Sequence, residues 1–267
     1  MNILVCVKQV PEDEDMRLDP VTKTLVRSQG GRISEYDKYA LEAALRLKEE
    51  LGGNVTAITM GPLQSEAVLR YCLSVGADDV YLLSDRKMGG ADAYATASTL
   101  GAAKEYLEKS GEAFDLILCG KQAGDSDTSL VMPELAELLD YPQVTFAKNI
   151  FGYDAAENTI SIERETDDGT DTLSVKLPAV VSVGRTVFDA RYPIIRLKLA
   201  ANRRKITALD ADALGADATE LGVPGSKTTV GASYIPERSK AGVHISGKND
   251  GDTAELLISA LLDARKI

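Results

Sequence analysis

Short, uninterrupted apolar runs alternate along the first half of the chain with stretches in which apolar residues recur every three or four positions. Residues 3–7 are the first such run and predict a central strand buried on both faces. Residues 8–32 form a long polar connection with Pro11, Pro20 and a Gly30-Gly31 pair, and Leu18 with residues 21–26 suggests a small hairpin inside it. Tyr36, Ala40, Leu41, Ala44, Leu45, Lys48 and Leu51 then trace one helical face. Ser34, three residues ahead of Asp37, gives that helix a capping-box-like start, and Gly52-Gly53 gives it a stop. Residues 55–59 predict a second strand, 65–74 a helix, 80–83 a third strand, 91–109 a long helix closed by Gly111, and 116–119 a fourth strand. Strands and helices alternating at this spacing imply right-handed crossovers, hence an α/β fold with a doubly wound, mostly parallel, Rossmann-like sheet.

Beyond residue 143 the pattern turns strand-like. Residues 144–150, 159–165, 172–176 and 179–183 predict strands that extend the sheet in antiparallel fashion, with Asp168-Gly169 as a hairpin signal. Residues 191–205 hold six basic side chains and no acid, with Ile194, Ile195, Leu197 and Leu199 among the charges. Two readings stand: a solvated basic segment leaning its stems on the core, or a docking arm with apolar anchors and cations that steer an acidic partner. Residues 207–252, rich in Gly, Ala, Asp, Ser and Thr, predict an extended arm. Leu256, Leu257, Ala260 and Leu261 then form one face of a final helix capped near Asp252, a face that wants a surface to cover. The expected organisation is a core over 1–190, a docking segment over 191–206 and an arm over 207–267.

Residues 115–142 say most about chemistry. A buried strand is followed by Gly120 to Thr128, small or polar positions with no aliphatic side chain beyond Ala123, and then by Leu130, Leu135, Leu138 and Leu139 at helical spacing, with Pro133 in an early turn. Such a strand, glycine loop and helix start bring backbone N–H groups and a positive dipole end to one place, which suits a phosphate. The plainer reading is a tight turn with Asp127 or Thr128 capping the helix. Neither Gly-Lys-Ser/Thr nor GxGxxG is present. In the common doubly wound order the first and fourth strands are neighbours where the winding reverses, and nucleotides sit in the crevice above them. That order places Cys6, Val7 and Lys8 beside Gly120, Lys121 and Gln122.

Composition narrows the classes. The chain has 267 residues, 44% hydrophobic and 27% charged, which fits a soluble globular protein. No apolar run nears the ~20 residues of a membrane span, and residues 1–8 lack the charged lead of a signal peptide. A net charge of −11 argues against a nucleic-acid surface. Cys6, Cys72 and Cys119 have no metal-like spacing and are expected as reduced thiols of a cytoplasmic protein, Cys6 and Cys119 as small core residues at strand ends. With His244 alone, a His-based triad or His-ligated metal is disfavoured, so no metal and no catalytic residue is assigned.

The run GKQAGDSDTSLVMPELAELLDYPQVTFA resembles the nucleotide loop of the electron-transfer flavoprotein β-subunit family. The same family is echoed by VCVKQVP at 5–11, ALEAALRLKEE at 40–50, MGP at 60–62, SVGADD at 74–79, IERETDDGTDTLSVKLPAVVS at 162–182, and RYPII with NRRKI within 191–206. Departures include Gly124, Leu130 and Met132, where the family usually has Ile, Gln and Gly, and Asp171 and Ser182 farther on.

The resemblance implies a heterodimer with an α-subunit that carries electrons between dehydrogenases and other acceptors. An FAD would be held chiefly by the α-subunit with this chain as one wall. A second nucleotide would sit wholly in this chain, AMP in some members and FAD in electron-bifurcating ones, and the GDSDT run resembles the latter. The implied nucleotide contacts are Cys6, Ser34, Tyr36, Asp37, Met60, Gly120, Lys121, Gln122, Ala123, Gly124, Asp125, Ser126, Asp127, Thr128, Ser129, Leu130 and Val131. Amides of 123–129 would take the phosphate, and the backbone near Cys6 and Met60 the adenine edge. Asp125 and Asp127 would serve turn and cap roles, since inward carboxylates would repel a phosphate. The implied docking residues are Arg191, Ile194, Ile195 and Arg196, with an acyl-CoA-dehydrogenase-like or other flavin dehydrogenase as partner. Two other classes compete with this reading. An adenylating enzyme would want an SGGxDS-like loop after the first strand, where KQVPEDE stands. A nucleotide-sensing module without redox role would have no use for the arm and final helix.

Overall fold

The computed structural model describes residues 1–12, 17–18, 25–26, 31–111, 113–231 and 242–266, in two compact units, 1–231 and 232–267. Within the first unit β1 (Ile3–Cys6) is buried throughout and leads into four short strands, β2 (Gln9–Val10), β3 (Arg17–Leu18), β4 (Leu25–Val26) and β5 (Arg32–Ile33). β2 pairs with β5 and β3 with β4, both antiparallel. The expected hairpin is therefore seen as Arg17–Leu18 against Leu25–Val26, while its remaining residues, 21–24, lie outside the described ones.

Helix α1 (Glu35–Leu51), strand β6 (Val55–Met60), helix α2 (Glu66–Val75), strand β7 (Asp79–Leu83), helix α3 (Ala93–Lys109), strand β8 (Leu116–Gly120) and helix α4 (Val131–Leu139) follow the predicted alternation. Then come β9 (Gln143–Asp154), β10 (Thr159–Thr166), β11 (Gly169–Lys176) and β12 (Ala179–Val183). The sheet order is β11-β10-β9-β12-β8-β1-β6-β7-β13, where β13 is Thr207–Leu209. Strands β9, β10 and β11 form the antiparallel extension, with Asp167 and Asp168 in the turn and Gly169, at φ 147°, opening β11. β12 departs from expectation, since it inserts between β8 and β9 and runs parallel to both. Its residues are all buried, the burial expected of a central strand rather than of a hairpin edge.

Side chains on the two faces of β1 separate the core. Ile3, Val5 and Val7 pack with Leu41, Leu45, Leu69 and Cys72 of α1 and α2. Leu4 and Cys6 pack with Leu100, Leu107, Met132 and Leu135 of α3 and α4. Apolar residues on both faces are what a strand covered by helices on each side requires.

The basic segment forms helix α5 (Ile195–Arg203), which is anchored on α2 by Ala201 and by Arg70, whose guanidinium donates to the Ala201 and Arg204 carbonyls. The arm begins later than residue 207. β13 pairs in parallel with β7, and α6 (Ala211–Leu214) and α7 (Gly222–Gly225) follow, with Leu209, Ala211, Leu214 and Leu221 buried. These apolar positions are too widely spaced to show as a run, yet they cover the sheet edge and the α3 face. The second unit holds α8 (Asp250–Asp263), capped by Asn249, whose side chain accepts from the Asp252 N–H at 3.0 Å. Leu256, Leu257, Ile258 and Leu262 of α8 are exposed. Among the described residues no helix is long and apolar enough to cross a membrane.

Candidate functional site

The parallel pairing of β1 with β8 sets Cys6 opposite Cys119, and β6 flanks Cys6 on the other side with Ile58. From β1 the chain winds outward through β6 and β7, then crosses back to β8 on the other side of β1. This is the topological switch point that the sequence pattern predicts, with Lys8 and Gly120 at the C-terminal ends of the two strands.

Both strand exits are tied to the first turn of α1. The buried Asp37 carboxylate accepts from the Lys8 N–H at 2.7 Å and from the Gly120 N–H at 3.0 Å. Ser34 donates its N–H to the Lys8 carbonyl at 2.9 Å and its hydroxyl to the Gln122 carbonyl at 3.3 Å. The expected capping box is therefore absent: Ser34 occupies the cap position with no side-chain cap bond, because both side chains reach across to neighbouring strands. Gly120 is a glycine for a steric reason, since a Cβ there would lie 2.3 Å from Asp37 Oδ1. Burial is the largest influence on Asp37 and lifts its carboxyl to about 7, against the opposing pull of the two amides and the Lys8 ammonium; Asp125 adds to the rise.

The loop is tied to β1 through Lys8 and to β12 through Lys121. Lys8 Nζ donates to Asp125 Oδ1 at 2.6 Å and to Ser126 Oγ at 3.3 Å. The Ser126 and Asp127 N–H groups close a turn on the Ala123 carbonyl, and the Lys121 N–H donates to the Val183 carbonyl at 2.8 Å. Gln122 bridges the far side, donating to Asp127 Oδ1 and accepting from the Ser129 hydroxyl. Asp127 and Ser129 both take left-handed backbone, φ 56° and 57°, which turns the chain sharply ahead of α4. The N–H groups of Gly124, Thr128, Ser129 and Leu130 meet no acceptor among the described residues. Gly124, Ser126, Asp127, Thr128 and Leu130 are exposed, so this rim of donors faces solvent. Neither Asp127 nor Thr128 caps α4; Leu130 occupies that place with no side-chain cap bond, leaving the helix start open. Asp125 lies within that turn and its carboxylate faces Lys8, a link that spacing alone did not reveal.

Tyr36 and Met60 are half-buried, and Met60 packs against the core face shared by Cys6 and Cys119. Those two thiols are buried, and the Cys119 thiol stands well above its ordinary value because of its hydrogen bond with Cys6 and its burial. Lys121 Nζ sits 4.4 Å over the Phe146 ring, and Phe146 has φ 61°, its N–H held by Ser182 Oγ at 3.0 Å. A left-handed aromatic beside the loop carried no sequence signal. A cavity of about 280 Å³ lined by Arg32, Lys38 and Tyr71 lies instead on the α1–α2 side, and none of residues 120–131 lines it. The loop's open donors mark the site better than that volume does.

The basic segment divides. Ile194 and Ile195 are exposed, Ile195 at 79%, with Tyr192 and Leu199 exposed beside them. Arg196 is exposed and makes no ion pair among the described residues. Arg191 is differently placed, its guanidinium closing on Glu42 and Glu49 of α1.

The chain is similar to known proteins over most of its length. The description "Electron transfer flavoprotein domain" matches residues 22–214. The chain is 43% identical over 249 residues to the electron transfer flavoprotein subunit beta of Thermoanaerobacterium thermosaccharolyticum, covering 92% of this chain and 93% of that protein. It is 40% identical over 258 residues to the subunit of the same name in Megasphaera elsdenii, covering 95% and 94%. It is also 36% identical over 263 residues to the caffeyl-CoA reductase-Etf complex subunit CarD of Acetobacterium woodii, covering 98% of each.

Proposed function

The chain belongs to the electron transfer flavoprotein family as a β-subunit, and we propose that it serves electron transfer between dehydrogenases and other acceptors by holding a nucleotide above the Cys6–Cys119 register. On the same reading it also forms one wall around an FAD held chiefly by an α-subunit. The observation that carries this reading is the rim of open N–H groups at Gly124, Thr128, Ser129 and Leu130, set at the start of α4 beside the junction of β1 and β8. Such donors want an acceptor with several oxygens, and a phosphate supplies one.

The residues fit the group. Asp125 turns a carboxylate oxygen to Lys8, which offsets its repulsion of a phosphate, and Cys6 and Met60 offer apolar surface to an adenine ring. The GDSDT run of the loop favours FAD over AMP here, and with FAD the pair is of the electron-bifurcating kind that takes electrons from NADH. When bound, a flavin supplies the redox chemistry; the chain's own groups bind the phosphates, orient the ring system and keep the loop in register. Exposed Ile194, Ile195 and Arg196 are the docking residues, toward an acyl-CoA-dehydrogenase-like or other flavin dehydrogenase. Arg191 supports that segment from below. The protein works in the cytoplasm, consistent with its buried free thiols.

Counting nucleotides tests the reading. The co-expressed αβ pair, denatured and analysed by chromatography, is expected to release two FAD per dimer. One FAD and one AMP would make this the AMP-holding kind. No nucleotide beyond the shared flavin would end the assignment of the loop.

A further inference from the structure

We propose that Asp37 is the positioning residue of the nucleotide site: it acts not on the ligand but through the amides of Lys8 and Gly120, holding the two strand exits and, through them, the loop. This rests on the nucleotide reading above and assigns Asp37 a part different from that of a direct contact.

Each oxygen of the carboxylate already serves one amide, Oδ2 that of Lys8 and Oδ1 that of Gly120, and the residue is 6% exposed. Those two amides belong to the residues from which the chain leaves the sheet at the switch point. Lys8 passes the constraint on, because its ammonium holds Asp125 and Ser126 of the loop. Ser34, on the same turn as Asp37, pins the Lys8 and Gln122 carbonyls. The absent side chain of Gly120 completes the latch by letting that strand end approach Asp37 directly.

The latch depends on charge. The groups that face the carboxylate are the Lys8 ammonium from the end of β1, Asp125 from the loop, the Cys119 thiol from β8 and the Cys72 thiol from α2. Above about pH 7 the carboxylate is ionised and accepts both N–H groups. A proton added below that pH puts an O–H opposite an amide N–H, and one of the two bonds weakens. The loop then loses one of its two strand anchors, and a nucleotide held by loop amides leaves sooner.

The test uses the co-expressed αβ complex dialysed at steps from about pH 8.5 to about pH 6, with FAD and AMP in the dialysate measured by chromatography. FAD is the cleaner probe, because the phosphate of AMP itself titrates near pH 6. Release of the β-site nucleotide is expected to steepen below a midpoint near neutrality, toward about tenfold per pH unit, the limit for one proton. Asp37→Asn is expected to release it quickly at every pH, since the amide offers only one acceptor oxygen. Lys8→Met is expected to move the midpoint to higher pH, because the ammonium that favours the ionised carboxylate is gone. That shift is one a purely structural residue would not produce, and it decides the matter if Asp37→Asn fails to fold. Nucleotide bound with a flat pH profile, an unshifted midpoint in Lys8→Met, or retention by folded Asp37→Asn equal to the parent would each overturn the latch and leave the site standing. Absence of β-site nucleotide at every pH would overturn the site itself.

Discussion

Arg191 closes on Glu42, donating its Nε–H at 2.7 Å and its backbone N–H at 3.1 Å to the same carboxylate oxygen. The Glu42 side chain is 5% exposed, so this ion pair lies against the core of α1, while Glu49 completes the fork from solvent. Arg191→Ala is therefore expected to lower unfolding free energy by about 1–3 kcal/mol. That is less than a fully buried pair would cost, because the arginine is partly exposed and Arg46 still pairs with Glu42. Arg196→Ala, on the exposed side, should stay within about 0.5 kcal/mol of the parent in urea unfolding. Equal losses in both variants would show that Glu42 does not need its partner.

Ile195 makes the opposite case. It stands 79% exposed at the start of α5, beside Ile194 and Tyr192, where it adds little to the fold. Ile195→Ala is expected to raise the KM for the proposed dehydrogenase partner by roughly fivefold or more, the loss typical of a truncated interface anchor. Bound nucleotide and unfolding midpoint should stay unchanged. Nucleotide loss in this variant would mean that the segment serves the site rather than a partner.

These two residues lie four positions apart and show what the sequence could carry. Hydrophobic period and glycine punctuation are local signals, and they located the strands and helices that place β1 beside β8. The loop was legible for the same reason, as a small-residue run between a strand and a helix. What Asp37 and Ser34 do was not legible, because the capping-box spacing is local while their partners, Lys8, Gly120 and Gln122, come from other elements. The same limit applies to Arg191, whose basic neighbours made it look like one of a set. Residues 207–225 misled differently: their buried Leu209, Leu214 and Leu221 are spaced for a sheet edge and short helices, which leaves no periodic stripe.

Gly120 and Gly124 belong to the same loop and should respond in opposite ways. A Cβ at Gly120 would sit 2.3 Å from Asp37 Oδ1 and 2.8 Å from the Tyr36 carbonyl carbon, whereas one at Gly124 meets nothing within 4 Å. Gly120→Ala is expected to cost about 1–3 kcal/mol through forced separation of β8 from α1, with loss of β-site nucleotide. Gly124→Ala is expected to be close to neutral in both respects. Thermal unfolding and nucleotide content of the two variants, measured side by side, check this.

Cys6 and Cys119 share a register and a hydrogen bond, and that bond, with burial second, pushes the Cys119 thiol well above its ordinary value. Cys72, also buried, is pushed up by desolvation. Because all three are buried, and the reactive thiolate is disfavoured at Cys72 and Cys119, none should react quickly with a thiol reagent at neutral pH in the folded protein. All three should react once it is unfolded. Rapid labelling of Cys119 in the native state would mean that the crevice floor opens.

Asp37 sets stability against binding. Its carboxyl titrates at about 7 in the fold and at 3.8 when free of it. Between those values the folded state keeps a proton that the unfolded state has released, so stability falls as pH rises across that window. The difference of about three units corresponds to about 4 kcal/mol at most, present below about pH 4 and lost by about pH 7. Over the same range the nucleotide latch gains strength, because the ionised carboxylate is the better acceptor. Urea unfolding of the nucleotide-free chain should show this downward slope in the parent and lack it in Asp37→Asn. Added FAD should offset the loss at the upper end only, since a ligand stabilises the state it binds. A parent profile that is flat from about pH 4 to about pH 7 would mean that the two amides and Lys8 outweigh burial and keep the carboxylate ionised throughout.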